Sequence, residues 1–268
     1  MTLIYARVGG DVNEEWLRVR RGKITASEMY RLMGSPRVRA TYLLEKLTER
    51  LTDLTVGRGI TPEMQHGIDT EGEAAEDYEL RTGNVCVPGY WVERDGWGAT
   101  PDYLVGDDGL VEIKCPLAKT TIRERYEHLF LERRPNATPI GAEYWWQCQA
   151  QLAITGRVWC DLVFYTTDFW KVPDLISWVR RVEPDAEAIE SMLAQIAASN
   201  AKLTEAVDEI TGTYRWVEGV LTAISEARSH KELQEALSAV PLTAVPGHIS
   251  DAIDAAAASR LDAITFGG

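Results

Sequence analysis

Amphipathic helical spacing opens and closes this chain, with a cluster of strand-like segments between. Asn13-Glu14-Glu15-Trp16-Leu17 opens a short helix that ends near Gly22. Thr25-Ala26-Ser27-Glu28 has the S/T-x-x-E form of a capping box, and Met29, Leu32 and Met33 follow at helical spacing. Thr61-Pro62-Glu63 starts another helix with proline at its first position, and the pattern runs through Glu71, Ala75 and Tyr78 to a stop at Gly83. Val85 to Val92, Gly98 to Val105, Leu110 to Lys114, Val158 to Tyr165 and Ile176 to Val182 are rich in β-branched and aromatic residues and predict strands. Thr120 to Arg133 and Glu143 to Thr155 are predicted helices between them. Helices, then strands, then alternation indicate an α/β or α+β domain with a mixed central sheet.

Beyond Pro184 the pattern is nearly all helical. Ile189, Met192, Leu193, Ile196, Leu203, Val207 and Ile210 form one long stripe, and Trp216, Val220 and Ile224 suggest another helix. Ser229-His230-Lys231-Glu232 is a second capping box, and Ile249, Ile253 and Leu261 suggest a last helix after the Pro241 to Pro246 break. The expected organisation is a domain over 1–211 and a helical appendage over 212–268.

The chain has 268 residues, 45% of them hydrophobic, and no run of about 18 apolar residues. Its N-terminus lacks the apolar core of a signal peptide, so a cytosolic location is expected. Cys86, Cys115, Cys148 and Cys160 form no C-x-x-C pair, which speaks against structural zinc and a disulfide framework. A net charge of −13 argues against a protein that coats nucleic acid, yet the charge is unevenly spread. Arg18, Arg20, Arg21, Lys23, Arg31, Arg37, Arg39, Lys46 and Arg50 crowd the N-terminal part and suggest a basic face for phosphates, while the tail is acidic.

Candidate chemistry concentrates in Thr100-Pro101-Asp102 and Val111-Glu112-Ile113-Lys114-Cys115-Pro116. Strand residues alternate faces, so Glu112 and Lys114 project from one side. Gly106-Asp107-Asp108-Gly109 reads as a tight turn, and a hairpin centred on Asp107/Asp108 sets position 102 opposite about 113, bringing Asp102 to the same patch. Two carboxylates suit Mg²⁺ or Mn²⁺, and a neighbouring ammonium can hold a water and stabilise negative charge. That combination suggests phosphodiester hydrolysis. Glu71, on the helix before the strands, is either a further acidic group of the site or part of a solvated face. Gln147, Gln149 and Gln151 read as one polar side of an otherwise apolar helix, where an amide can orient water or contact phosphate.

Five ordered fragments resemble the phage lambda exonuclease family, also called YqaJ-like viral recombinases, within the PD-(D/E)XK nuclease fold. They are Trp16 to Ser27, Gly67-x-x-x-Glu71-x-x-Ala74, Thr100-Pro101-Asp102, Glu112 to Pro116, and Tyr144-x-x-Gln147-x-Gln149, within residues 14 to 183. The resemblance implies an α/β nuclease core, a mixed central sheet flanked by helices; the C-terminal helical extension from about 212 onward falls outside the resemblance and is expected from its spacing alone. It implies that Asp102, Glu112 and the Ile113 carbonyl ligate a divalent metal and that Glu71 serves a second metal or its waters, Mg²⁺ being the expected ion, two per site. Lys114 then positions and activates the attacking water beside Gln147. Arg20, Ser27 and Thr100 form the pocket for a terminal 5′ phosphate, with Arg21 competing with Arg20 for that role. Thr100 stands where the best-known member has serine, which keeps the hydroxyl. Members degrade one strand of duplex DNA from its 5′ end, commonly as ring-shaped homotrimers, and work beside a single-strand annealing protein. The expected function is therefore a Mg²⁺-dependent 5′→3′ double-strand exonuclease of phage-type recombination. The alternatives are a structure-specific endonuclease on the same fold and a DNA-end binding or recruitment protein.

Overall fold

Asn13 starts the first helix as its position predicts: its side-chain oxygen accepts the Glu15 N–H, and α1 runs Glu14–Arg20. This computed structural model describes residues 3–8, 11–52, 54–56, 62–117, 141–212, 215–240, 245 and 247–266. Strands β1 (Arg7–Val8) and β2 (Asp11–Val12) pair ahead of α1, and β3 (Ile24–Thr25) follows it. The predicted capping box at Thr25 does not form. Thr25 lies in β3, its side chain caps nothing, and Ala26–Glu28 is a 3₁₀ turn leading into α2 (Met29–Leu32). The Glu28 carboxylate accepts from Arg31 at 2.8 Å instead.

Next come α3 (Pro36–Thr52) and α4 (Pro62–Thr82), the latter ending at Gly83 with φ +74°. Short strands follow: β4 (Val87–Pro88), β5 (Val92–Arg94), β6 (Trp97–Ala99), β7 (Tyr103–Val105) and β8 (Gly109–Lys114). The predicted strand Gly98 to Val105 is thus two strands, because Pro101 has no N–H for a ladder. They belong to different sheets. One sheet has the order β3-β6-β5; the other runs β10-β9-β8-β7-β4, with β9 at Trp159–Tyr165 and β10 at Ser177–Val182. Pairing in the larger sheet is antiparallel except between β8 and β9, so it is mixed, as expected. The helix predicted at Thr120 to Arg133 lies outside the described residues.

Helix α5 (Ala142–Thr155) stands between two cores, which is why its sequence is apolar on nearly every side. Ala150 and Ile154 join a cluster with Ile24, Met29, Leu32, Tyr42 and Trp97. Cys148 and Leu152 join Leu110, Cys160, Leu162 and Phe164 on one face of the larger sheet. Helix α4 covers the other face, with Ala74, Ala75 and Tyr78 packed on Val111, Ile113, Val163 and Tyr165. The long stripe after Pro184 is one helix, α6 (Ala186–Gly212), unbroken at Ser199-Asn200.

By its contacts the chain divides into a unit of residues 1–203 and one of 204–268. Besides the end of α6, the second holds α7 (Arg215–Glu226), α8 (His230–Ser238) and α9 (Gly247–Phe266) around Val220, Ile224, Leu233 and Ile253. Here the Ser229 cap is real: its hydroxyl accepts the Glu232 N–H at 3.3 Å. No helix among the described residues is long and apolar enough to cross a membrane.

Candidate active site

The β7–β8 hairpin pairs Val105 with Gly109, Leu104 with Leu110 and Tyr103 with Val111. Its centre is Asp107, and one step beyond the ladder 102 faces 112 rather than 113. That single-residue difference matters, because a slip of one would turn Asp102 to the other face of the sheet. In the observed register Asp102, Glu112 and Lys114 share a face. The Asp102 Oδ2 accepts the Ile113 N–H at 2.7 Å. Glu112 is 1% exposed, and its Oε1 accepts from Lys114 Nζ and Gln147 Nε2, each at 2.6 Å. Its Oε2 accepts from Gln151 Nε2, also at 2.6 Å.

Gln147 and Gln151 are one turn apart on α5 and so reach the same carboxylate. Gln149, two residues from each, turns away: its amide donates to the Glu183 carbonyl and accepts the Asp185 N–H. The three glutamines therefore do not form one side, and the role of Gln151 was readable from its i,i+4 spacing to Gln147. Tyr144, a turn before Cys148, places its ring 5.4 Å below the Lys114 ammonium.

Burial, then the charges of Glu112 and Glu71, push the Asp102 carboxyl well above its usual range, against Lys114 and the Ile113 N–H. The charge of Glu71 thus acts on Asp102. For Lys114 burial lowers the pKa, but Glu112 and Asp102 outweigh burial and raise it above the ordinary lysine value, so the group is a fixed ammonium. The Cys115 thiol is pushed up to about 12 by burial, with Glu71 and Asp102 adding to the effect. Two carboxylates beside one ammonium, with the charge of Glu71 acting on Asp102, make a donor set that fits a hard divalent cation. Among the described residues no three acidic, histidine or cysteine side chains close into a cage, so main-chain oxygen and water would complete the coordination.

A second cluster begins on α1. The Arg20 guanidinium stacks 3.8 Å from the Trp16 ring centre and lies 3.4 Å from the Ser27 hydroxyl. Trp16 Nε1 donates to Thr100 Oγ1 at 2.8 Å. Arg20, Ser27 and Thr100 are thereby brought together, with Trp16 as the link. Burial lowers the Arg20 pKa to about 10, opposed by Glu28, Tyr42 and Glu49, and no carboxylate among the described residues pairs with it. A half-buried guanidinium that no carboxylate pairs directly is suited to receive an anion. Arg21 is elsewhere, with Nε 3.4 Å from Thr55 Oγ1 beside a shallow depression lined by Glu14, Glu15, Leu17 and Arg18. Most other N-terminal basic residues are already engaged. Arg31 pairs with Glu28 and Glu45, Lys46 with Glu49, and Lys23 with Glu93, so the expected basic face is largely an internal network.

A family model for the YqaJ-like viral recombinase domain matches residues 15–158. The crystal structure of an alkaline exonuclease (LHK-Exo) from Laribacter hongkongensis is similar at 32% identity and a TM-score of 0.65, over 75% of this chain and 98% of that one. The structure of LHK-Exo in complex with dAMP gives the same values. A phage-related exonuclease from Haemophilus somnus 129PT shares 13% identity with a TM-score of 0.58, over 72% of this chain and 98% of that one, a likeness of fold. A search of curated proteins finds no match.

Proposed function

The chain belongs to the YqaJ-like viral recombinase family, and on that premise we propose that it is a Mg²⁺-dependent exonuclease that degrades one strand of duplex DNA from a 5′-phosphorylated end, leaving a 3′ single strand. The carrying observation is the three-residue bridge Thr100-Pro101-Asp102. Its first residue is tied to the anion pocket through Trp16 and its last to the carboxylate cluster through Ile113.

In this reading Asp102, Glu112 and the Ile113 carbonyl would hold the cation, with Glu71 adding charge for a second. Bound there, the ion supplies electrostatic stabilisation to the phosphodiester oxygens as charge develops. Lys114, which donates to Glu112, would position and activate the attacking water and meet negative charge with its N–H groups. Gln147 holds the Glu112 carboxylate so that Lys114 keeps a fixed position. Arg20, Ser27 and Thr100 engage the terminal phosphate, which sets the polarity of digestion. The homotrimeric ring and the annealing-protein partner belong to this proposal through the family, and light scattering and pull-down measure them.

Digestion of linear duplexes with and without a 5′ phosphate, beside closed circular DNA, is the test. Nucleotide release is expected only with Mg²⁺, faster from the phosphorylated end, absent from circles and absent in Lys114→Ala. Cutting of closed circles would instead identify an endonuclease.

A further inference from the structure

Both oxygens of Glu112 are fixed from helix α5, and they are not fixed alike. Oε1 already accepts two hydrogen bonds, from Lys114 and Gln147, whereas Oε2 accepts one, from Gln151. A carboxylate oxygen offers about two lone-pair sites, so the remaining one lies on Oε2. Gln151 is fully buried, with its Nε2 on Glu112 and its Oε1 turned toward the Cys160 thiol, whose Sγ lies 4.0 Å away. The amide therefore cannot flip without setting its oxygen against the Glu112 carboxylate.

We propose that Gln151 is a positioning residue: by occupying one lone pair of Glu112 Oε2 from the buried side, it directs the other toward the cation. This rests on the metal site proposed above. A glutamine retained only to satisfy its own buried amide would be replaceable by an apolar isostere without effect on the cation, whereas a residue orienting a ligand is not.

The test is Mn²⁺ binding to the full chain, followed by isothermal titration, for the unaltered protein, Asp102→Ala and Gln151→Met. Digestion rates across DNA-end concentrations are measured alongside. Gln151→Met is expected to weaken Mn²⁺ binding about 10–100-fold and to lower kcat similarly, with KM for DNA ends unchanged. Gln151→Asn keeps the amide but is one methylene short; it should give the same result and serves if the Met form does not fold. Unchanged Mn²⁺ affinity in a folded Gln151 variant, with binding lost in Asp102→Ala, overturns the role of Gln151 alone. No Mn²⁺ uptake by the unaltered chain overturns the metal site and this inference together.

Discussion

An ideal Cβ on Gly89 would lie 1.8 Å from the Pro101 carbonyl oxygen, and the Gly89 N–H donates to the Asp102 carbonyl at 2.9 Å. Only glycine lets the chain pass this close to the bridge that carries Asp102. Gly89→Ala is expected to cost about 1–3 kcal/mol in urea denaturation. By shifting Asp102 it should also lower the digestion rate about 100-fold. Normal stability and rate in that variant would show that the bridge is not held there. Asp102 itself sets stability against chemistry. Its raised carboxyl keeps a proton in the folded state that the unfolded chain has already lost, so its contribution is largest at low pH and declines as pH rises from the ordinary carboxylate range through the raised value. Without divalent ions the Tm should fall over that interval. Asp102→Asn should flatten the fall, melt about 2–4 °C higher at neutral pH and release no nucleotides; a lower Tm for the variant would contradict the assignment of burial and crowding. Glu112 and Lys114 were legible because strand period two groups them, whereas the face of Asp102 depended on a hairpin register one residue away from the one the turn residues suggest, and Arg20 differs from Arg21 in standing i,i+4 from Trp16. Gly89 was not legible, since its reason is contact with a residue twelve positions away.

Helices α4 and α5 lie on opposite faces of the larger sheet, and they do different work. Helix α5 delivers Gln147 and Gln151 to Glu112, whereas α4 is anchored through Tyr78, whose hydroxyl donates to Asp161 Oδ2 at 2.8 Å. Asp161 is buried and also accepts from Nε and Nη2 of Arg181. Tyr78→Phe removes one donor on the face away from Glu112. The expected loss is about 1–2 kcal/mol of stability, read from denaturant midpoints, with an unchanged digestion rate; a large rate loss would mean that α4 transmits strain to Glu71. Several elements were signalled by spacing and by Asn13, Pro62 and Gly83, but α3 (Pro36–Thr52) is not among those the spacing predicts, and Val85 to Val92 holds β4 and only the start of β5. What composition concealed was partnership. Pro101 marked a break, but which sheet each half of Gly98 to Val105 joins depends on contacts with β3 and β8 that no local pattern encodes.

Every candidate site residue lies in the unit of residues 1–203, while the 204–268 unit has its own apolar core. A chain ending at Gly212, which keeps α6 whole, is expected to digest linear duplex at an undiminished rate in a nuclease assay; loss of activity from a folded shortened chain would assign the C-terminal helices a part in cutting. Charge at this scale was the least legible property, because sequence counts cannot tell a solvated arginine from one paired as Arg31 is with Glu45. The two ends of strand β7 also differ in how much change of length they can absorb. The exposed tip Gly106, Asp107 and Asp108 could take an added residue with the ladder intact, apart from the carbonyls held by Arg157. One residue added between Thr100 and Asp102 would at once lengthen the span from the Trp16–Arg20 cluster to the carboxylate cluster and reverse the facing of the aspartate. Natural or engineered length variation should therefore accumulate at 106–108 and be absent from 100–102.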